Sequence, residues 1–357
     1  MDAASTAAGM GTGTATGTGT APTLEDVARA AGVSRATVSR VVNGVRNVDP
    51  AIQQAVQRAV AATGYVPNRA ARSLVTRRSG AVALVVSGAG ADTGRVFQDP
   101  FFGRVVSGVV RALRPRGVHP VLLFADGEAD RAQVLAYLTQ GGGDGALLVT
   151  TDGRDPLPGL LARAGLPAVL FARPAPGVPL DWVDLRHREG GVLAGRHLLA
   201  RGCRRLVAIG GPADVPASRD RVAGFREAGF REALAGAAVR VAEADFTLDG
   251  GEQAMRALLA EHPDLDGVFA ANDLMAQGAC LVLREHGRRI PEDVAVVGFD
   301  DSGAAVAARP RLTTVRQPVE EMAAEMVRLL LDRVSGTAAP EPVEVLFDPE
   351  LVVRDSA

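Results

Sequence analysis

Apolar positions follow two rhythms along this chain. From Thr23 to Gly64 the spacing is helical. Leu24, Val27, Ala28 and Ala31 share one face. Val38, Val41 and Val42 share a second, with Arg35, Ala36, Thr37, Ser39 and Arg40 opposite, and Ile52, Val56, Ala59 and Val60 a third. Each run carries its own punctuation. Thr23 is an N-cap with Asp26 three residues on, Gly32 is a stop, Ser34 is a second cap, Asn43-Gly44 is a turn pair, Asp49-Pro50 is a cap followed by an N1 proline, and Gly64 is a final stop.

From Ala81 onward the rhythm changes. Short apolar runs at 81–86, 121–124, 146–149 and 168–171 predict buried strands, with helices at 102–114 and 130–140 among them. After Trp182 the alternation restarts, with helices at 188–200, 219–235, 249–261 and 273–287 and strands at 206–209, 239–243, 268–270 and 294–297. Strands alternating with such helices predict doubly wound parallel sheets, and two sets predict two lobes. Ligands of such sheets sit at the carboxyl ends of the strands, here in a cleft between lobes.

Two short helices joined by a glycine corner, with a third behind, make a helix-turn-helix. Ala28 is small where the second helix crosses, Gly32 supplies the positive φ of the corner, and Val38 plugs the angle. The second helix offers small and basic residues at its start, which suits a DNA major groove. Charge sharpens this reading. Between Thr23 and Arg78 there are nine Arg against three acidic residues, a charge of +6, whereas the stretch after Arg78 carries −7. A basic head on an acidic body fits a polyanion-binding module attached to a body with another task.

The runs Thr23-Leu24-Glu25-Asp26-Val27-Ala28, Ala31-Gly32-Val33-Ser34, Ala36-Thr37-Val38-Ser39-Arg40-Val41-Val42-Asn43 and Gly64-Tyr65-Val66-Pro67-Asn68 closely resemble the DNA-binding head of the lac repressor / galactose repressor family. The resemblance continues more loosely through the body. It implies an all-α helix-turn-helix head, a hinge helix and an α/β core shaped like a periplasmic sugar-binding protein. It further implies a homodimer on palindromic double-stranded operator DNA and a small-molecule effector, a sugar or related metabolite, between the lobes. The expected layout is a disordered tail at 1–22, the head at 23–67, the hinge at 68–78 and the core at 79–357. The first lobe is expected to take 80–184 and 313–335, the second 185–312 and 336–357.

DNA contacts are expected from Thr23, Ser34, Arg35, Ala36, Thr37, Ser39, Arg40, Asn43 and Tyr65, with Arg35 and Ala36 foremost in base reading. In the hinge, Asn68 can cap and Arg72 suits phosphate, while the resemblance implies that Ala71 lies against the minor-groove floor and that Leu74 wedges into the central base step. For the effector, Asp99-Pro100-Phe101-Phe102 matches the family's Asn-Pro-Phe-Phe. Phe102 reads better as core, and Phe101 equally as core or sugar platform. The resemblance makes Arg221 the ligand-contacting arginine, Asp273 an acceptor of sugar hydroxyls and Phe246 an aromatic platform. Asp300 or Asp301 can reach the cleft, with Asp301 carried as the candidate. For each polar residue, a helix cap or salt bridge is the competing role.

Three departures matter. The stretch between Val86 and Asp99 is several residues longer than the family pattern. Ala172-Arg173-Pro174 lacks an aspartate that often binds the sugar, while Arg173 remains. Arg186 and His187 stand where Asp and Asn are usual. These leave room for an effector with an anionic group read by Arg173 or Arg221.

Other classes fit poorly. Five scattered His and two distant Cys give no metal-ligand spacing, and no Gly-x-Ser-x-Gly elbow occurs, so neither catalysis nor a cofactor is expected. The glycine spacings of the tail follow no strand, and 141–145 precedes one, so neither cradles phosphate. A transport binding protein fits the body but not the basic head, and a ligand-independent architectural DNA binder leaves the cleft without a task. No apolar run reaches membrane-spanning length and no export signal is visible, so a reduced, cytoplasmic protein is expected. The chain ends without a heptad-like tail, which favours a dimer over a tetramer.

Overall fold

In the computed structural model, residues 22–43, 48–66, 78–87, 98–150, 152–231 and 239–357 are described. The chain divides into two units, 1–77 and 78–357.

In the first unit, α1 (Leu24–Ala31), α2 (Arg35–Val42) and α3 (Pro50–Thr63) begin and end at the sequence signals. Thr23 and Asp26 close a reciprocal capping box, the Thr23 N–H donating to Asp26 Oδ2 at 3.0 Å. Ser34 Oγ accepts the Thr37 N–H at 3.1 Å, and Asp49 Oδ1 accepts that of Ala51 at 2.7 Å. Gly32 takes φ +64°, a conformation that a Cβ would strain. Val27, Ala28, Val38, Val56 and Ala59 are buried between the three helices, with Tyr65 packed against them. The tail, residues 44–47 and the hinge candidates Asn68, Ala71, Arg72 and Leu74 lie outside the described residues.

The second unit holds two six-stranded sheets. The first contains β1 (Ala81–Ser87), β2 (His119–Ala125), β3 (Ala146–Thr150), β4 (Ala168–Phe171) and β5 (Asp181–Leu185). Its helices are α4 (Pro100–Leu113), α5 (Glu128–Thr139) and α6 (Leu157–Arg163). The second contains β6 (Leu206–Gly210), β7 (Arg240–Glu243), β8 (Gly267–Ala270) and β9 (Ala295–Asp300). α7 (His187–Ala200) precedes these, α8 (Pro216–Arg231), α9 (Leu248–Glu261) and α10 (Asp273–Glu285) run between them, and α11 (Gly303–Ala307) follows β9. The remaining elements are β10 (Thr313–Arg316), α12 (Val319–Ser335), β11 (Glu344–Phe347) and β12 (Glu350–Val352).

The described strand pairs are parallel apart from β10–β12. Strands covered by helices on both faces are apolar along their length, as β4 is entirely and β1, β3 and β9 are up to a polar last residue. One face of the first sheet (Val82, Leu84, Val86) buries Val105, Val109, Met322 and Met326, and this core continues into the second lobe through Leu198, Phe225 and Phe299.

The crossings between lobes differ from expectation. β10 stays in the second sheet, with Thr313 opposite Val297, and β11 joins the first, with Val345 opposite Val183. The chain therefore returns to the first lobe at residues 317–318 rather than 313, and leaves it at 348–349 rather than 336. Local periodicity marks a strand, but its partners, β9 and β12 for β10 and the distant β5 for β11, decide which sheet it joins.

Candidate nucleic-acid interface and ligand cleft

On the head, α2 presents Arg35, Ala36 and Arg40 to solvent, with Thr37 and Ser39 half-buried. Several candidate hydroxyls already serve the fold. Thr23 Oγ1 donates to Asp26 Oδ2 at 2.8 Å, Ser34 Oγ lies 2.9 Å from Thr37 Oγ1, and Ser39 Oγ accepts from Asn43 Nδ2 at 3.2 Å. Tyr65 is half-buried against the head's core. At the exposed start of α2, Arg35 pairs with Glu25 at 3.0 Å.

In the second unit a buried guanidinium organises the strand ends. Arg221, on α8, is 6% exposed. Its Nε donates to His187 Nδ1 at 3.2 Å, Nη1 to the Ala271 carbonyl at 2.6 Å, and Nη2 to Gln317 Oε1 at 2.8 Å. Asp300 Oδ1 is 3.1 Å from Nη1, and the guanidinium stacks 3.8 Å above the Phe299 ring. With Nδ1 accepting, His187 carries its proton on Nε2, which faces Asp184 Oδ1 at 3.2 Å. Burial and the Arg221 charge lower the His187 pKa, so the ring is neutral there. Asp184, despite its burial, is held below the usual carboxylate range by His187 and by the Leu185 and Arg173 N–H groups.

The carboxylates fall into two kinds. Asp99 caps α4 by accepting the Phe101 N–H at 2.9 Å, and burial plus the Asp300 charge push its carboxyl up to about 6. Asp300 Oδ1 forms no well-aligned hydrogen bond. These two first-lobe and second-lobe carboxyls are close enough to repel. Asp273, by contrast, is bonded within the second lobe. It is 1% exposed, Oδ1 accepts the Thr314 hydroxyl at 2.6 Å and Oδ2 the Ser302 N–H at 2.7 Å, and burial together with Asp300 raises its pKa to about 7. Asp301 is likewise engaged, by Arg316 Nε at 2.8 Å and by Arg354. Of the Asp300-Asp301 pair, Asp300 is the one beside Arg221.

Phe101 meets Phe171 edge-on at 5.2 Å, while Phe102 is buried in the core. The Phe246 ring lies against Gly211, where a Cβ would stand 2.2 Å from its Cζ. Arg173 is exposed, its guanidinium 5.4 Å from the Trp182 ring centroid. Among the described residues, the non-glycine positions with positive φ are Ala172, Phe246, Asp300 and Asp301, all at or just past the carboxyl ends of strands. Such strained backbone concentrates at ligand clamps. Across the cleft rim, Gly153 of the first lobe faces Pro216 of the second so closely that a Cβ would stand 3.0 Å from its Cγ.

Two residues not anticipated from the sequence tie the lobes together. Arg104, one turn into α4, forks onto Glu320 at 2.9 and 2.8 Å and donates to the carbonyls of Asp300 and Gln317. Gln317 stands in the second crossing and orients Arg221. Its signal was a Gln-Pro step between a strand and a long helix. A groove of ≈ 520 Å³ lined by Arg188, Glu189, Arg196, Glu227 and Asp348 lies outside this cluster.

Comparison with known proteins accords with both halves. Residues 23–68 match bacterial regulatory proteins of the lacI family, and residues 196–357 match a periplasmic binding protein-like domain. The HTH-type transcriptional regulator CelR of Thermobifida fusca is 47% identical over 338 residues, covering 94% of this chain and 98% of that protein. Among solved structures, a CelR–cellobiose complex is 44% identical with TM-score 0.73, covering 94% of this chain and all of the other. A lac repressor dimer bound to operator and the anti-inducer ONPF is 27% identical with TM-score 0.79, covering 94% and 99%.

Proposed function

Because the chain belongs to the lacI family, whose members are transcriptional regulators with effector-controlled DNA binding, we propose that it is a cytoplasmic repressor governed by a neutral disaccharide of the cellobiose type. The observation that carries the effector class is the state of Arg221. A guanidinium has five N–H donors, and this one bonds His187, Ala271 and Gln317 while the Asp300 carboxylate lies 3.1 Å from its Nη1. Its charge is matched by Asp300, and Asp99 adds a second carboxyl. An anionic ligand would enter against these carboxyls. Sugar hydroxyls instead donate to Asp99 and Asp300, and Phe101 and Phe246 offer apolar faces to the ring. The similarity to a cellobiose-bound relative supports the same class.

In this reading a homodimer places two α2 helices in successive major-groove half-sites of a palindromic operator. Arg35 and Ala36 read bases, with Arg40, Thr37 and Ser39 beside them, and Thr23, Ser34, Asn43 and Tyr65 face the backbone. The effector changes lobe closure and with it the geometry of the head pair. The relatives are regulators, and catalysis forms no part of the proposal.

Calorimetric titration with cellobiose, glucose and cellobionate tests the effector class. An operator selected from a random duplex pool then reports whether the bound ligand alters DNA affinity. Tight cellobiose binding with at least tenfold weaker cellobionate is expected. Preference for the carboxylated or a phosphorylated sugar would overturn the charge argument.

A further inference from the structure

Glu25 is an acidic residue on a head that carries +6. It occupies the first turn of α1, and its Oε1 lies 3.0 Å from Nε of Arg35, the first residue of α2. Both side chains are exposed, at 54% and 69%, so the pair contributes little to folding. What it does set is direction. A guanidinium can present a two-donor fork either through its two Nη groups or through Nε and one Nη. A carboxylate beside Nε occupies the second face and leaves the Nη1–Nη2 end outward.

That end matches one base. Guanine offers two adjacent major-groove acceptors, O6 and N7, whereas adenine sets a donor beside its N7, thymine offers a single acceptor and cytosine a donor. The pair also restricts the rotamers of a long side chain before DNA arrives, so less freedom is lost on reading. We propose that Glu25 is a specificity-determining positioning residue, holding Arg35 for end-on recognition of a guanine in each half-site. This rests on the base-reading role proposed above for Arg35. The competing role for Glu25 is a charge at the amino end of α1, which would affect melting of the head but not base preference.

The test uses the full chain and an operator selected from a random duplex pool. Affinity is measured by fluorescence anisotropy at fixed salt, with each base in turn at the position where Arg35→Ala alters the selected motif. Wild type should prefer guanine on the order of 10- to 100-fold. Glu25→Ala should cut that preference several-fold while leaving binding to unrelated duplex equal or stronger, since a negative charge is gone. Glu25→Asp keeps the charge but shortens the reach, so it should behave like Glu25→Ala, and Glu25→Gln, which keeps an acceptor, should retain part of the preference. Thermal melting of each variant checks the fold. Unchanged guanine preference in Glu25→Ala, or a wild-type preference in Glu25→Asp, would overturn the positioning role. An unchanged motif in Arg35→Ala would instead remove the reading beneath it.

Discussion

The placement of Arg221 depends on two helices crossing where neither has a side chain. A Cβ on Gly191 of α7 would stand 2.0 Å from the Arg221 carbonyl oxygen and 2.8 Å from the Phe225 nitrogen. A Cβ on Gly224 of α8 would stand 1.8 Å from the Arg188 oxygen. Relief of the first clash requires α8 to retreat by about 1 Å or more, since non-bonded carbon atoms sit at van der Waals separations of about 3.5–4 Å from their neighbours. The clash falls on the backbone of Arg221 itself, so its contacts of 2.6–3.2 Å are lost together. Overpacking of this kind costs about 1–3 kcal/mol, against a helix-propensity gain of about 0.8–1 kcal/mol for Gly→Ala. Gly191→Ala should therefore lower the melting temperature of the core by a few degrees and weaken effector binding at least tenfold. The matched control is Gly103→Ala on α4, where nothing lies within 4 Å of the added carbon and only the propensity gain applies. Circular dichroism melting and effector titration on both variants decide the matter. If Gly191→Ala melts like Gly103→Ala and binds effector like wild type, the close crossing and its hold on Arg221 are refuted.

Arg221→Lys should cost at least tenfold in effector affinity at intact secondary structure, because an ammonium cannot serve His187, Gln317 and Asp300 in one plane; calorimetric titration measures it. Asp273 has a carboxyl raised from 3.8 to about 7, so its stabilising protonated form is complete below about pH 4 and is lost as pH rises through about 7. Melting temperature should accordingly fall between pH 5 and 7, and Asp273→Asn should flatten that slope, since the amide can donate to Thr314 and accept from Ser302; an unflattened slope would dismiss Asp273 as its source. Arg333 forks onto buried Asp181 at 2.8 and 2.7 Å beside β11. Arg333→Met should destabilise the core by about 3 kcal/mol by leaving that carboxylate unpaired, and adding Asp181→Asn should recover part of the loss in denaturant unfolding.

The head was legible because its determinants are local. The Thr23–Asp26 box, the Ser34 and Asp49 caps and the Gly32 and Gly64 stops each act within three residues. The strand and helix runs of the core were legible for the same reason. The crossings were not, because β10 and β11 are identical in rhythm to strands of either sheet. Site residues divide along the same line. Arg221 could be found by resemblance, but its partners come from α7, β9, the β8–α10 junction and the second crossing. Asp273 shows its competing role, since a carboxylate opening a helix after a strand looks alike in sequence whether it meets a ligand or a neighbouring threonine, and here Thr314 and Ser302 are its partners.

That dispersion of partners bears on regulation. The first crossing is the single residue Arg186 between β5 and α7, and it is clamped by Asp184 near the end of β5 and His187 at the start of α7. The second contains Gln317, whose carbonyl is held by Arg104 of the first lobe. Arg221 donates to both His187 and Gln317, so one guanidinium is bonded at two of the three segments that connect the lobes. A ligand shifts a conformational equilibrium only by as much as its contacts differ between the two states. A molecule resting on Phe101 alone touches a single lobe and has little leverage. One that draws hydroxyls to Asp99 and Asp300 together spans both lobes and competes for the carboxylate that balances Arg221, so its binding energy is expressed at the crossings. On the function proposed here, His187 and Gln317 are the side chains through which Arg221 meets those crossings.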